Sequence, residues 1–113
     1  MRVLVADDRP HLVLLYRAVL EDAGFEVVSV SNGMAAIAAV EGGDIDAAVL
    51  DVLMPGVSGD AIADRLRRSH PRLPVLLMTG AYGEQFVIDA SAPVLHKPFA
   101  PEELVRAVRE LAG

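Results

Sequence analysis

At 113 residues the chain has the length of one domain and can bury roughly two-thirds of its unfolded surface, enough for a core without covalent staples. Apolar residues make up 53% of it and there is no cysteine, which excludes a disordered chain, disulfides and thiolate metal sites. The formal net charge of −6, with no basic block, argues against a nucleic-acid-binding surface, since phosphate contacts need clustered Lys and Arg.

From the N-terminus, "MRVLVADDRP" interrupts its apolar stretch with two aspartates and makes a poor signal sequence. No run along the chain approaches membrane-spanning length. A cytoplasmic location is the expectation. Val3 to Ala6 reads as a strand. In "RPHLVLLYRAVLEDAGF", Leu12, Leu15, Tyr16, Val19, Leu20 and Ala23 fall near one helical face, with Asp8 as a cap, Pro10 in the first turn and Gly24 at the end. A strand follows at Val27 to Val30, then a helix over Asn32 to Glu41, capped by Ser31 or Asn32 and stopped by Gly42-Gly43. Ala47 to Leu50 is the third strand. The third helix is expected from about Ser58 to Ser69, with Ile62 and Leu66 inward and Arg65, Arg67 and Arg68 outward. Val75 to Met78 is a strand, Gly83 to Ala90 a weak helix, and Val94 to Leu95 the last strand. A final helix from Pro101 to Leu111 buries Leu104, Val105, Val108 and Leu111.

Most of these strands are continuously apolar, as expected where both faces are covered. Five β-α units without a linker or repeat predict an α/β fold. It is a (βα)5 three-layer sandwich with a five-stranded parallel sheet in order 2-1-3-4-5, helices on both faces, and a fourth helix that is short or irregular.

Four of the five strands end on something polar: Asp7-Asp8, Asp51, Thr79 and Lys97. In this order strands 1, 3, 4 and 5 are consecutive neighbours about 4.8 Å apart, so these groups share the edge where such sheets bind ligands. Lys97 is the only lysine and Thr79 the only threonine. Each residue alone has an ordinary explanation: a cap, a turn former, a β-branched strand residue, a solvated strand end. Jointly those explanations require five matching positions by accident. Three carboxylates in one cleft repel and need a cation, and hard oxygen ligands without His or Cys favour Mg²⁺. A carboxylate beside such an ion can attack a phosphoryl group. Mg²⁺, the Lys97 ammonium and the Thr79 hydroxyl then take one phosphoryl oxygen each, with help from loop amides near Gly56 and Gly59.

The stretches "VLVADD", "VLDVLMPGVSG", "VLLMTG" and "LHKPF" resemble the response-regulator receiver domains of bacterial two-component signalling, over essentially residues 1–113. The resemblance implies that Asp51 is the phosphoacceptor and that Asp7, Asp8, Asp51 and the backbone carbonyl of Leu53 bind Mg²⁺. It makes Thr79 the switch hydroxyl and Lys97 the phosphate-binding lysine, and it implies a cis Lys97-Pro98 peptide. The implied phosphoryl donor is a phosphohistidine on a sensor histidine kinase or phosphotransfer protein. The output partner is unknown, and neither nucleic acid nor membrane is bound by this domain. Such a chain is a signalling phosphoacceptor rather than an enzyme with a separate turnover product. Leu53 and Ala81 stand where the family tunes phosphate lifetime, and neither side chain can position water, so slow self-dephosphorylation is expected.

Two departures from the family stand out. Val94 replaces a mobile aromatic three residues before Lys97, and valine has no ring to swing. Thr79 and Lys97 also lie about one helical turn closer than usual, so phosphorylation is expected to order residues 80–93 through Thr79. Other readings weighed are a receiver used as a phosphorylation-independent docking domain, a receiver excised from a hybrid histidine kinase, a magnesium phosphatase, which lacks an acid at Leu53, and a flavodoxin-like carrier, whose phosphate loop "DDRPH" does not suit. His11 and His70 are read as surface residues, His96 as packing, and Met54 and Met78 as core. Arg9 is read as solvent-exposed, with contact to a phosphoryl group the lesser alternative.

Overall fold

A computed structural model describes residues 1–54, 56–80 and 92–112. Its elements run β1 (Arg2–Ala6), α1 (Pro10–Asp22), β2 (Glu26–Val30), α2 (Gly33–Glu41), β3 (Ala47–Asp51), α3 (Gly59–Ser69), β4 (Val75–Thr79), β5 (Val94–His96) and α4 (Pro101–Ala112). The helix expected over Gly83 to Ala90, the position of Ala81 and most of the segment expected to order on phosphorylation lie outside the described residues.

The five strands form one sheet in the order β2-β1-β3-β4-β5, and every pairing is parallel. Strict alternation explains the continuous apolar runs. Leu4, Ala6, Ala48, Leu50 and Leu77 face a cluster that includes Ile37, Val40, Ile62 and Leu66 of α2 and α3. Val3, Val5, Val49, Leu76 and Met78 face the other way, onto Tyr16 and Leu20 of α1 and Leu104 and Val108 of α4. Every one of these side chains removes apolar surface from water, which is the main favourable term in folding.

Helix boundaries follow local chemistry in some places and tertiary contacts in others. Asn32 caps α2 through its side chain, which accepts from the Ala35 amide at 2.8 Å. Ser58 precedes α3 without a side-chain cap bond. The expected Asp8 cap of α1 is not formed: Arg9 occupies the cap position, with no side-chain cap bond. Leu15 was expected inward and is 49% exposed, because the inner face of α1 is set by Tyr16 and Leu20. Met54 and Met78 are buried, whereas His96 is exposed. Among the described residues no helix is long and apolar enough to cross a membrane.

Candidate functional site

Where the sheet order reverses between β1 and β3, the strand ends carry acids into the protein. Asp7 follows β1, and its amide donates to the Val30 carbonyl of β2 at 3.2 Å, extending the sheet by one bond. Asp51 is the last residue of β3 and its Cα pairs with Met78 of β4. Asp7 and Asp51 are only 1% and 2% exposed, which for a charged group demands partners. Asp8 lies at the surface beside them. Asp7, Asp8 and Asp51 each offer a carboxylate oxygen, and these atoms lie within 4.8 Å of one another.

Two cations answer this charge. Lys97 stands just after β5; its amide donates to the Thr79 carbonyl at 2.7 Å, and the Lys97-Pro98 peptide is cis as expected. Its Nζ lies 3.3 Å from Asp51 Oδ2 and 3.4 Å from Asp7 Oδ2. The second cation is Arg9. Its Nη2 donates to Asp51 Oδ2 at 2.9 Å and its Nε to Asp7 Oδ1 at 3.3 Å. Arg9 is solvent-exposed as expected, its side chain 44% so, and its guanidinium also turns back onto the acids. Electroneutrality could have found it, since three carboxylates with one lysine leave a charge deficit that an adjacent arginine can fill.

Thr79 is 1% exposed at the end of β4, one residue past the register partner of Asp51. Its hydroxyl donates to the Gly80 carbonyl at 3.2 Å. The loop after β3 contributes the Leu53 amide, which donates to Asp51 Oδ1 at 3.4 Å, while the Leu53 side chain is exposed. Gly56 turns this loop with φ +83°, a conformation that glycine adopts without Cβ strain.

Tyr16 lies beneath the site, a role not visible from its place on the helical face alone. Its ring stacks on Phe99 with centroids 5.7 Å apart, and Lys97 Nζ sits 6.0 Å from the ring centre. Burial, together with the fields of Asp7 and Asp51, pushes the Tyr16 hydroxyl up to about 12, so the ring near the Lys97 ammonium stays neutral.

Burial also pushes the Asp51 carboxyl above its ordinary range; the charge of Lys97 opposes this, Asp7 reinforces it, and Arg9 and the Leu53 amide pull it down. Desolvation thus outweighs both cations. A carboxyl raised in the folded state stabilises the fold only while protonated, and that contribution is lost as pH rises through its folded value. At neutral pH the ionised Asp51 therefore costs stability. Asp51→Asn, which keeps the shape and removes the buried charge, is expected to raise the melting temperature of the metal-free protein. Thermal unfolding in a chelator checks this, and a lower melting temperature for the variant would contradict it.

The family profile described as the response regulator receiver domain matches residues 3–109. This chain belongs to that family. It is 40% identical over 116 residues to the transcriptional regulatory protein TcrA of Mycobacterium tuberculosis, an alignment covering 99% of this chain and 46% of TcrA. It is 33% identical over 121 residues to the sensor protein GacS of Pseudomonas syringae, covering 99% of this chain and 13% of GacS. The receiver thus spans about half the length of TcrA and a small part of GacS. The crystal structure of the response regulator TrrA from Thermotoga maritima, in complex with Mg²⁺-BeF, superposes with a TM-score of 0.89 at 29% identity, covering 97% of each chain. This chain is a receiver domain of response-regulator type, and its Asp7, Asp8 and Asp51 cluster fits the phosphoacceptor site of such a domain.

Proposed function

We propose that residues 1–113 form a single phosphoacceptor domain in which Asp51 takes a phosphoryl group from a phosphohistidine donor. Asp7, Asp8, Asp51 and the Leu53 carbonyl would hold one Mg²⁺. The donor set fits that ion: the clustered side chains offer only hard carboxylate oxygens, and Mg²⁺ keeps open positions for water and phosphate. TrrA, a related regulator, is known in complex with Mg²⁺-BeF. When bound, the ion supplies charge neutralisation for the phosphoryl oxygens and for the acids around them.

In this reading an Asp51 carboxylate oxygen attacks phosphorus in line with the bond to the donor imidazole nitrogen. The O–P bond forms as the P–N bond breaks, the bonding pair returns to nitrogen, and the imidazole takes up a proton from solvent. Asp51 becomes an acyl phosphate. Because the transferring group carries its charge on three oxygens, the protein's task is placement and neutralisation. Lys97 meets one oxygen with its ammonium. The Thr79 hydroxyl reaches another after rotating away from the Gly80 carbonyl, which links the modification to the end of β4. The donor is a sensor histidine kinase or a phosphotransfer protein working in the cytoplasm, and the domain passes the signal on by changing conformation without contacting nucleic acid.

The observation that carries this reading is the convergence on Asp51 Oδ2 of a lysine from the far end of the chain, 3.3 Å away, beside three clustered acids. The test is intact-mass measurement after incubation with acetyl phosphate and Mg²⁺. The parent should gain one phosphoryl group and Asp51→Asn none. An unchanged parent, or a modified asparagine variant, would sink the assignment.

A further inference from the structure

We propose that Arg9 is a built-in counter-ion that closes over Asp51 in the metal-free protein and is displaced when Mg²⁺ enters, so that it sets the Mg²⁺ concentration at which the domain becomes competent. This rests on the reading above that the acid cluster takes Mg²⁺.

Arg9 is tied to the acids at three points. Its amide donates to Asp7 Oδ1 at 3.0 Å, its Nε to the same oxygen at 3.3 Å, and its Nη2 to Asp51 Oδ2 at 2.9 Å. The last is shorter than either contact of Lys97 Nζ with the two acids. The guanidinium therefore shares the very oxygen that Lys97 holds, and Asp51 Oδ2 lies between two cations. While both stay, that oxygen is not available to a metal or to phosphorus.

Helix stability does not explain an arginine here. Arg9 is the N-cap of α1 and makes no capping bond, and a positive charge at a helix N-terminus opposes the helix dipole. Charge balance does explain it. Three carboxylates are offset by Lys97 and Arg9 to leave one net negative charge. Adding a divalent ion to both cations would reverse the sign of a partly buried site, and like charges in low dielectric repel strongly.

One cation must then leave, and their surroundings differ. Lys97 is 14% exposed, lies over Tyr16, and is pinned through its backbone to Thr79. Arg9 is 44% exposed and can swing into solvent while its amide keeps the bond to Asp7. Arg9 is the mobile cation and Lys97 the fixed one. Arg9 acts as a positioning residue: it governs when Asp51 is free.

The experiment is a Mg²⁺ titration followed by NMR, without any phosphoryl donor. Backbone amide shifts report the half-saturation, and the Arg9 Nε–H signal reports its own displacement. In the parent that signal should sit away from the exposed-arginine region without metal and move into it as Mg²⁺ saturates. Arg9→Ala and Arg9→Gln should reach half-saturation at about fivefold lower Mg²⁺, the order expected when a partly exposed ion pair worth ~1 kcal/mol no longer competes. Arg17→Ala, which removes an α1 cation paired instead with Glu21, should leave half-saturation unchanged to within about twofold, because surface charges at a distance are screened. An Nε–H signal that does not move, or equal half-saturation in the parent and both Arg9 variants, would overturn the proposal and leave the Mg²⁺ site standing. Absence of Mg²⁺ binding in all of them would overturn both.

Discussion

Lys97→Met is expected to slow phosphorylation of Asp51 by about a hundredfold at saturating Mg²⁺, the usual loss when one preorganised charge-stabilising donor is removed from a reacting centre. The variant keeps an unbranched side chain of similar length, so the neighbouring Tyr16–Phe99 stack should persist. What it removes is the ammonium 3.3 Å from Asp51 Oδ2. Arg9 cannot substitute, because at saturating Mg²⁺ it has already left Asp51 for solvent. Lys97→Arg is expected to rescue only in part, since a planar guanidinium is not a point charge on a flexible stem. The two cations therefore separate kinetically: loss of Lys97 lowers the maximal rate, and loss of Arg9 lowers the Mg²⁺ requirement. Time courses of mass gain with acetyl phosphate across a Mg²⁺ series measure both. A Lys97→Met protein that is phosphorylated within a few-fold of the parent would show that the lysine serves only to balance charge.

Much of this arrangement is legible in the amino-acid order, for identifiable reasons. The strands are uninterrupted apolar runs because alternate side chains enter two different cores, Leu4 and Ala6 on one face and Val3 and Val5 on the other. Once the sheet is parallel, Asp51, Thr79 and Lys97 fall at one edge by topology alone. The positions that resist sequence reasoning depend on where a side chain goes after leaving the backbone. Asp8 has the chemistry of a helix cap, yet stands in the acid cluster, and Arg9 takes the cap position. Arg9 has a surface residue's position and a buried residue's contacts, because its long side chain bridges the gap between β1 and β3. Leu15 follows the helical period yet remains exposed, since the period marks a stripe and tertiary packing selects which part of it is covered. Val94 is half-buried against the α2–α3 cluster; a stiff aliphatic side chain there provides packing but no ring rotation to couple to Thr79.

Gly59→Ala is expected to be the most damaging single-methyl change at the described glycines, costing about 3 kcal/mol. The melting temperature should fall by at least about 10 °C. Gly59 opens α3, and its amide donates to the Val52 carbonyl at 2.9 Å, which draws the helix against the end of β3. A Cβ at this position collides with the Asp51 carbonyl oxygen, comes within 2.8 Å of the Asp51 carbonyl carbon and lies 3.0 Å from the Val52 Cα. All three are backbone atoms at the end of β3, two in its last residue and one in the residue that follows. They are held by the pairing of Asp51 with Met78 and by the Val52 amide donating to the Met78 carbonyl at 2.9 Å, so they cannot yield without disturbing β4. Gly33→Ala is the informative contrast. Its Cβ would also press closely, 2.7 Å from two carbons, but both belong to the Ile62 side chain, which can change rotamer at a cost of about 1 kcal/mol. Denaturant unfolding of the two variants should therefore separate them by about 2 kcal/mol, although each adds one methyl at the first residue of a helix. Equal losses would mean that the β3 end is pliant. That result would weaken the view that Asp51 is held in place by a rigid backbone, with metal and phosphoryl group brought to it.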